Sequence, residues 1–290
     1  RLVIGLAYFL GKSAYKFAHG QKIIGIANLN IVFGNSVSKE TKEKWLKTSF
    51  ISFSLTLLDL FWFAFRTVGR IKKYVKWDKD FKDMMRIRPF IAISGHFGNW
   101  EILGRTIALV GGGCLCVAMP IQNLFANWVL NRLRTGCGEK IVKRKGAIRE
   151  IIKELRAGGN VALVSDQNVV PRDGGIFMDF FGVPALTALT PAQLAKKTGA
   201  PVLLLFCIPD IATGEYKIHV NRPLYVKEED DPIEITKQIQ LLFENEIRKF
   251  PSYWLWSYKR WHYRRADDVA AEKFPYYTRV LPADKDKQSK

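Results

Sequence analysis

The hydrophobic pattern of the chain changes character near Pro89. Before it, residues 1 to about 66 read as helical, and KETKEKWLKTSFISFSLTLLDLFWFAF joins a charged first half to an apolar second half. After it, short apolar runs alternate with amphipathic stretches, the pattern of an α/β sheet domain. Phe90 to Ser94 (FIAIS), Leu115 to Met119, Val161 to Ser165 (VALVS) and Val202 to Ile208 (VLLLFCI) read as buried strands. Gly146 to Arg156 carries Ile148, Ile151, Ile152 and Leu155 at helical spacing with its charges on the opposite face, and Gly158 and Gly159 end it. Thr190 and Pro191 start a helix through Leu194 that Gly199 stops, and a further helix runs from about Ile233 to Arg248. These elements predict one domain over residues 1–290, α/β in class. Its parts are a helical N-terminal portion (1–88), a core (89–265) on a mixed, mostly parallel sheet flanked by helices, and a polar tail (266–290) ending in PADKDKQSK.

With 290 residues, 48% of them hydrophobic, the chain can bury a substantial core. Its 45 Lys and Arg against 27 Asp and Glu give a formal charge of +18, which steers it toward polyanions: nucleic acid, an anionic membrane leaflet, a phosphorylated lipid or an acidic protein. No stretch reaches the roughly 20 apolar residues of a spanning helix. LVIGLAYFLG at the start is short, whereas the Phe50 to Phe65 run is long and aromatic, with Asp59 its one charge. That run fits either a helix buried in the core or a helix lying on a membrane, and the second reading makes the N-terminal portion membrane-associated. The chain starts at Arg1, which leaves room for a preceding spanning segment, and no signal peptide is visible. Cys114, Cys116, Cys137 and Cys207 form no CxxC motif, so a reduced, cytosol-facing location is the simpler reading and no metal site is expected. Cys114 and Cys116, two apart in a buried strand, are expected to share one face of the sheet.

The most informative stretch is ISGHFGNWEILG, residues 93 to 104, where an apolar strand ends and a helix begins. His96 falls in the turn, Glu101 in the first helical turn, and Gly98 eases a sharp backbone path. This geometry can bring the carboxylate against the imidazole Nδ1, fixing the tautomer and leaving Nε2 free to take a proton from a hydroxyl. The adjacent helix N-terminus, at Gly98 and Asn99, offers N–H groups where a tetrahedral oxyanion would form.

HFGNWE after an apolar strand resembles the H-x4-D/E motif of glycerolipid-type acyltransferases, the lysophospholipid acyltransferase superfamily. Together with IANLNIVFG, VALVSDQN, GGIFMDFFGVPALT and YWLWSYKRW, it is similar to the late acyltransferases of lipid A biosynthesis, the lauroyl and myristoyl transferase family, over nearly the whole chain. The resemblance implies a catalytic dyad at His96 and Glu101. It also points to the basic segment NRLRTG, with Arg134 as the best match for the family's arginine and Arg132 as the competing assignment. Asp166, in SDQN, lies on the same side of the sheet as His96 if the strands are parallel. Arg134 could bind a phosphate or help hold the oxyanion, and Asp166 could orient Arg134 or bind a sugar hydroxyl.

Two further segments carry expectations. RDGGIFMDFFG, residues 172 to 182, sets a Gly-Gly turn before aromatics that fit the core, while its loop-like start and exposed-looking aromatics also suit an acyl-chain pocket or membrane contact. In FPSYWLWSYKRWHYRR, Tyr253, Trp254, Trp256, Tyr258 and Trp261 interleave with Lys259, Arg260, Arg264 and Arg265, which suits a bilayer headgroup region or, failing that, single-stranded nucleic acid. The family resemblance implies a bacterial inner-membrane enzyme on the cytoplasmic face that takes its acyl donor from acyl carrier protein. Its acceptor is a glycolipid, the hydroxyl of a lipid A precursor acyl chain, and it needs no cofactor or metal because the thioester is already activated. The nearest alternative is the same chemistry on a phosphoinositol mannoside with coenzyme A as donor. A non-catalytic membrane- or nucleic-acid-binding protein is the alternative of another class.

Overall fold

The computed structural model describes residues 2–118, 128, 134–143, 146–268 and 271–282. Three helices open the chain, α1 (Leu2–Phe17), α2 (His19–Phe33) and α3 (Lys39–Trp62), followed by α4 (Thr67–Tyr74), β1 (Val75–Lys76) and α5 (Lys79–Met84). Ser38 caps α3 by accepting from the Thr41 N–H. A side chain at Gly11 would lie 2.5 Å from the Ile51 backbone, so the missing side chain lets α1 lie directly on α3.

Beyond Pro89 come β2 (Ile91–Ser94), α6 (Trp100–Val110), β3 (Cys114–Ala118), β4 (Glu139–Lys143), α7 (Ala147–Arg156), β5 (Val161–Val164), β6 (Gly175–Phe180), β7 (Val183–Ala188), α8 (Thr190–Thr198), β8 (Val202–Asp210), β9 (Glu215–Val220) and α9 (Pro232–Lys249). Among the described residues the central sheet has seven strands in the order β1-β9-β8-β2-β5-β3-β4. Its pairings are parallel except for β8 with β9. The fold is therefore the expected mixed, mostly parallel sheet flanked by helices. Alternation along the strands divides the core in two. Ile91, Ile93, Val202, Leu204 and Phe206 face α7, α8 and α9. Ala92, Leu203, Leu205 and Cys207 face α6 and the N-terminal helices, and Cys114 and Cys116 both pack on that side as their spacing suggested.

Packing decides the reading of three further segments. After a turn at Pro171–Asp173, in keeping with the loop-like start, Gly175–Phe180 is a strand paired antiparallel with Val183–Ala188 through a turn in which Phe181 and Gly182 have φ of 56° and 77°. Its aromatics Phe180 and Phe181 are buried. The C-terminal aromatic segment is core, not a bilayer or nucleic-acid surface, since Trp254, Trp256 and Trp261 are each at most 1% exposed. Every one of these indoles has an acceptor: Asp166 Oδ2, the Pro251 carbonyl, and the Phe180 and Val183 carbonyls. Arg260 is buried too, donating to Asn168 Oδ1, the Leu186 carbonyl and Thr187 Oγ1. Lastly, residues 271–282 fold back on the body: β10 (Tyr263–Arg264) pairs with β11 (Arg279–Val280), and the Tyr277 hydroxyl bonds to Asn28 Oδ1. The last part of the expected tail, 283–290, lies outside the described residues.

Candidate active site

Strand register brings the central pair together. Ser94 at the end of β2 is level with Val164 at the end of β5, and His96 and Asp166 each stand two residues further on. The Ser165 N–H donates to the Ser94 carbonyl, continuing the pairing into the turn. Asp166 then accepts from the His96 backbone N–H on Oδ2 and meets the His96 ring Nδ1 with Oδ1, both at 2.8 Å. Trp254 Nε1–H donates to Oδ2 at 3.0 Å. An ionised carboxylate only accepts, so the Nδ1 proton points at Asp166 and Nε2 carries the lone pair. Gly95 is needed for this approach, because a side chain there would lie 3.0 Å from the Asp166 carboxyl. Gly98, at φ 61°, would place a Cβ 2.2 Å from the Cys207 carbonyl oxygen, so only glycine fits the next step of the turn.

Glu101 does not take the position expected of it. Its carboxylate receives both Arg134 Nε (2.9 Å) and Nη2 (2.5 Å), a bidentate pair, while the Nδ1 position is held by Asp166. The expected side chains are thus neighbours with exchanged partners. Asp166 orients the imidazole instead of Arg134 or a sugar, and Arg134 is engaged by Glu101. Arg132 lies outside the described residues. The amides of Gly98 and Asn99 are also spent within the fold, on the Tyr253 and Cys207 carbonyls at 2.9 and 2.8 Å. The Asn99 side chain caps α6 at Ile102 N and donates to Asp59 Oδ2. Neither residue offers the free N–H expected for an oxyanion.

A family model described as bacterial lipid A biosynthesis acyltransferase matches residues 2–263. The chain belongs to this family. Among its relatives is the lipid A biosynthesis palmitoleoyltransferase of Escherichia coli K12, 24% identical over 88% of this chain and 83% of that one. The phosphatidylinositol mannoside acyltransferase of Mycobacterium tuberculosis H37Rv is 25% identical over 57% of this chain and 52% of its own length. The crystal structure of the 1-acyl-sn-glycerophosphate acyltransferase PlsC from Thermotoga maritima aligns at a TM-score of 0.41 and 16% identity, covering 86% of this chain and 96% of that one.

In this acyltransferase the electrostatics follow from the contacts. Burial pulls the His96 imidazole down, but the charge and hydrogen bond of Asp166, joined by the charge of Glu101, outweigh it and leave the ring more basic than usual. Burial likewise pushes Asp166 up, yet His96, the Trp254 indole and the His96 amide together hold it below the ordinary carboxylate range. Behind Glu101, Arg105 is buried near Glu139, whose carboxyl is pushed up to about 8, chiefly by burial against the opposing pull of Arg105.

The sequence reading missed the role of α3. Ser49, Ser52, Thr56 and Asp59 recur at helical spacing along α3 and form a buried polar stripe facing the site. Ser49 Oγ donates to the Trp254 carbonyl at 2.5 Å, Thr56 Oγ1 lies 3.2 Å from the Gly98 carbonyl, and Asp59 accepts from Asn99 and from the Tyr216 hydroxyl. Asp59 was visible as a lone charge, and the spacing of the hydroxyls around it was the signal. A small open cleft lies between α3 and the turn, bordered by His96, Trp100, Phe53 and Leu255.

Proposed function

We propose that this protein moves a fatty acyl chain from a thioester on acyl carrier protein to the hydroxyl of an acyl chain on a lipid A precursor, forming an acyloxyacyl ester at the cytoplasmic face of a bacterial inner membrane. The family supports the acceptor class. The +18 charge suits both an acidic carrier protein and a phosphorylated glycolipid. The observation that carries the mechanism is the double contact of Asp166 with His96, which leaves Nε2 as the basic atom.

In this reading His96 Nε2 takes the acceptor hydroxyl proton while the oxygen attacks the thioester carbon, and Asp166 stabilises the imidazolium that forms. The leaving thiolate then recovers the proton. Glu101 and Arg134 act as a fixed charge pair behind the turn, Glu101 adding to the field that favours the imidazolium. The thioester is already activated, so no redox or metal step enters. Exposed Leu2, Leu6, Phe9 and Leu10 on α1 and Leu57 and Phe61 on α3 give an apolar surface suited to the headgroup boundary. Among the described residues no helix is long and apolar enough to cross a membrane.

The test is a purified-enzyme assay with acyl carrier protein thioesters and a Kdo-bearing lipid A precursor, read by mass spectrometry. One added acyl group, lost in His96→Ala, is the expected result. A folded enzyme that acylates none of these acceptors sinks the lipid A reading. The mannoside relative favours a second acceptor, a phosphoinositol mannoside with acyl coenzyme A as donor, and belongs in the same panel.

A further inference from the structure

The buried stripe on α3 contains one member without a task. Ser49 and Asp59 fasten Trp254 and Asn99, and the Thr56 hydroxyl is shared between the Gly98 carbonyl and the Ser52 carbonyl one turn back. Ser52 sits between them, 2% exposed, and its hydroxyl has no hydrogen-bond partner. It borders the same cleft as His96. A serine inside a helix ordinarily returns its hydroxyl to a carbonyl one turn back, and a buried one left unmatched costs stability for nothing unless a ligand completes it. The cleft beside Ser52 has room for about one oxygen-sized group, which suits a carbonyl oxygen and not an acyl chain. The reaction, meanwhile, needs a donor for the carbonyl oxygen, and the amides of Gly98 and Asn99 are already engaged.

We propose that Ser52 contacts the substrate: its hydroxyl donates to the carbonyl oxygen of the reacting thioester, and this hydrogen bond strengthens as that oxygen becomes negative. The assignment rests on His96 being the base. The acceptor hydroxyl gives its proton to His96 Nε2 as its oxygen bonds to the thioester carbon, and the carbonyl π pair moves onto the oxygen facing Ser52. Collapse restores the C=O bond and breaks C–S, the pair leaving with sulfur. The sulfur takes the proton from His96, giving ester and free thiol.

The experiment compares wild type, Ser52→Ala, Ser52→Thr, Ser49→Ala and His96→Ala with a lauroyl thioester of acyl carrier protein and the Kdo-bearing precursor, together with melting temperatures. Ser52→Ala is expected to lower kcat by roughly 10- to 100-fold, in the range of a single oxyanion donor or somewhat below it, with KM changed only a few-fold. Its Tm stays level or rises, because an unmatched buried hydroxyl is removed. Ser52→Thr retains most of the turnover. Ser49→Ala, which loses a made hydrogen bond, lowers Tm. Turnover within twofold of wild type in Ser52→Ala, a loss of activity accompanied by a lower Tm, or a Ser52→Thr as impaired as Ser52→Ala at unchanged Tm would each overturn the role of Ser52 alone. An enzyme indifferent to His96→Ala overturns it together with the general-base reading.

Discussion

Asp166 grips His96 at two points, the backbone N–H and the ring Nδ1, at 2.8 Å each. The two contacts fix both where the ring stands and which nitrogen holds its proton, so the carboxylate that orients this imidazole comes from the end of β5 rather than from α6.

The first prediction is the pH dependence of this pair. A general base works when neutral, and His96 is raised above its ordinary value, so turnover should rise with pH through a midpoint above about 6.5. In Asp166→Asn the raising charge is gone and burial prevails, so this limb moves to lower pH while the plateau falls roughly 100-fold or more. The stability signs follow as well. The depressed Asp166 contributes stability above about pH 3.9 that is lost on acidification, and the raised His96 contributes stability below about pH 6.5 that is lost as pH rises. In Asp166→Asn the first dependence disappears and the second reverses, because a His96 held down by burial costs stability as pH falls below about 6.5. A profile of kcat against pH whose acid limb does not move would reject Asp166 as the partner of the base.

Glu101 and Arg134 are expected to behave as a unit. Both side chains are less than a quarter exposed, so removing either leaves the other charged, partly buried and unpaired. Glu101→Ala and Arg134→Ala should each destabilise the protein, and the double variant should cost less than the two together, with a coupling of about 1–3 kcal/mol in urea unfolding. Glu101→Ala should also shift the acid limb of turnover downward, by less than Asp166→Asn does, because Glu101 acts on His96 through its field alone. Strict additivity of the two single changes would mean the bidentate pair contributes nothing.

The exchange of partners between Glu101 and Asp166 marks the limit of what the sequence reveals here. Strands such as Ile91–Ser94 and Val202–Asp210 were legible because central strands of a parallel sheet are apolar on both faces, and the α8 boundaries because Pro191 and Gly199 suit helix ends. The His96–Glu101 spacing was equally plain, but a contact depends on direction. Asn99 caps α6, setting Glu101 in a helical turn from which it meets Arg134. Asp166 reaches His96 through the register of β2 on β5, which no local spacing encodes. The tryptophans misled for a related reason: indole beside arginine suits a headgroup layer or a polar-lined core equally, and only the acceptor found for each indole N–H separates the two.

Trp254→Phe tests the support beneath the pair. The indole N–H shares Asp166 Oδ2 with the His96 amide, and phenylalanine keeps much of the bulk while deleting that donor. With less of its charge neutralised, Asp166 should act more strongly on His96, so the acid limb moves to higher pH, opposite to Asp166→Asn. Turnover at neutral pH falls several-fold. Movement in the same direction as Asp166→Asn would show that the indole supports packing alone.

Glu139 provides a stability test away from the reaction. Its carboxyl is pushed up to about 8 by burial, against the opposing attraction of Arg105, with Glu101 and Arg134 adding smaller effects of opposite sign. A carboxyl raised in the folded state favours folding below its unfolded value and loses that contribution as pH rises to about 8. Glu139→Gln cannot ionise, so its Tm should exceed wild type above pH 8 and the two should converge toward about pH 5. A Tm difference independent of pH over that window would show that Glu139 is not neutral in the folded protein at mid-range pH.

The last prediction tests the proposed membrane contact of a protein without a spanning helix among its described residues. Phe53, Leu57 and Phe61 recur every four residues along α3; Phe53 borders the His96 cleft, and Leu57 and Phe61 are exposed. This stripe leads from the reacting atoms out to solvent, where an apolar chain leaving a bilayer would need cover. Binding to anionic vesicles should have two parts. Lys and Arg near the surface contribute roughly 1 kcal/mol each, and this part fades in 1 M salt as the Debye length falls to about 3 Å. The apolar part persists in salt and is the part that Leu57→Ser with Phe61→Ser should remove, at unchanged Tm because both side chains are already exposed. Vesicle flotation with neutral and anionic lipids at low and high salt separates the two. Wild-type protein left in the soluble fraction with anionic vesicles at low salt would assign the excess positive charge to an acidic protein partner instead.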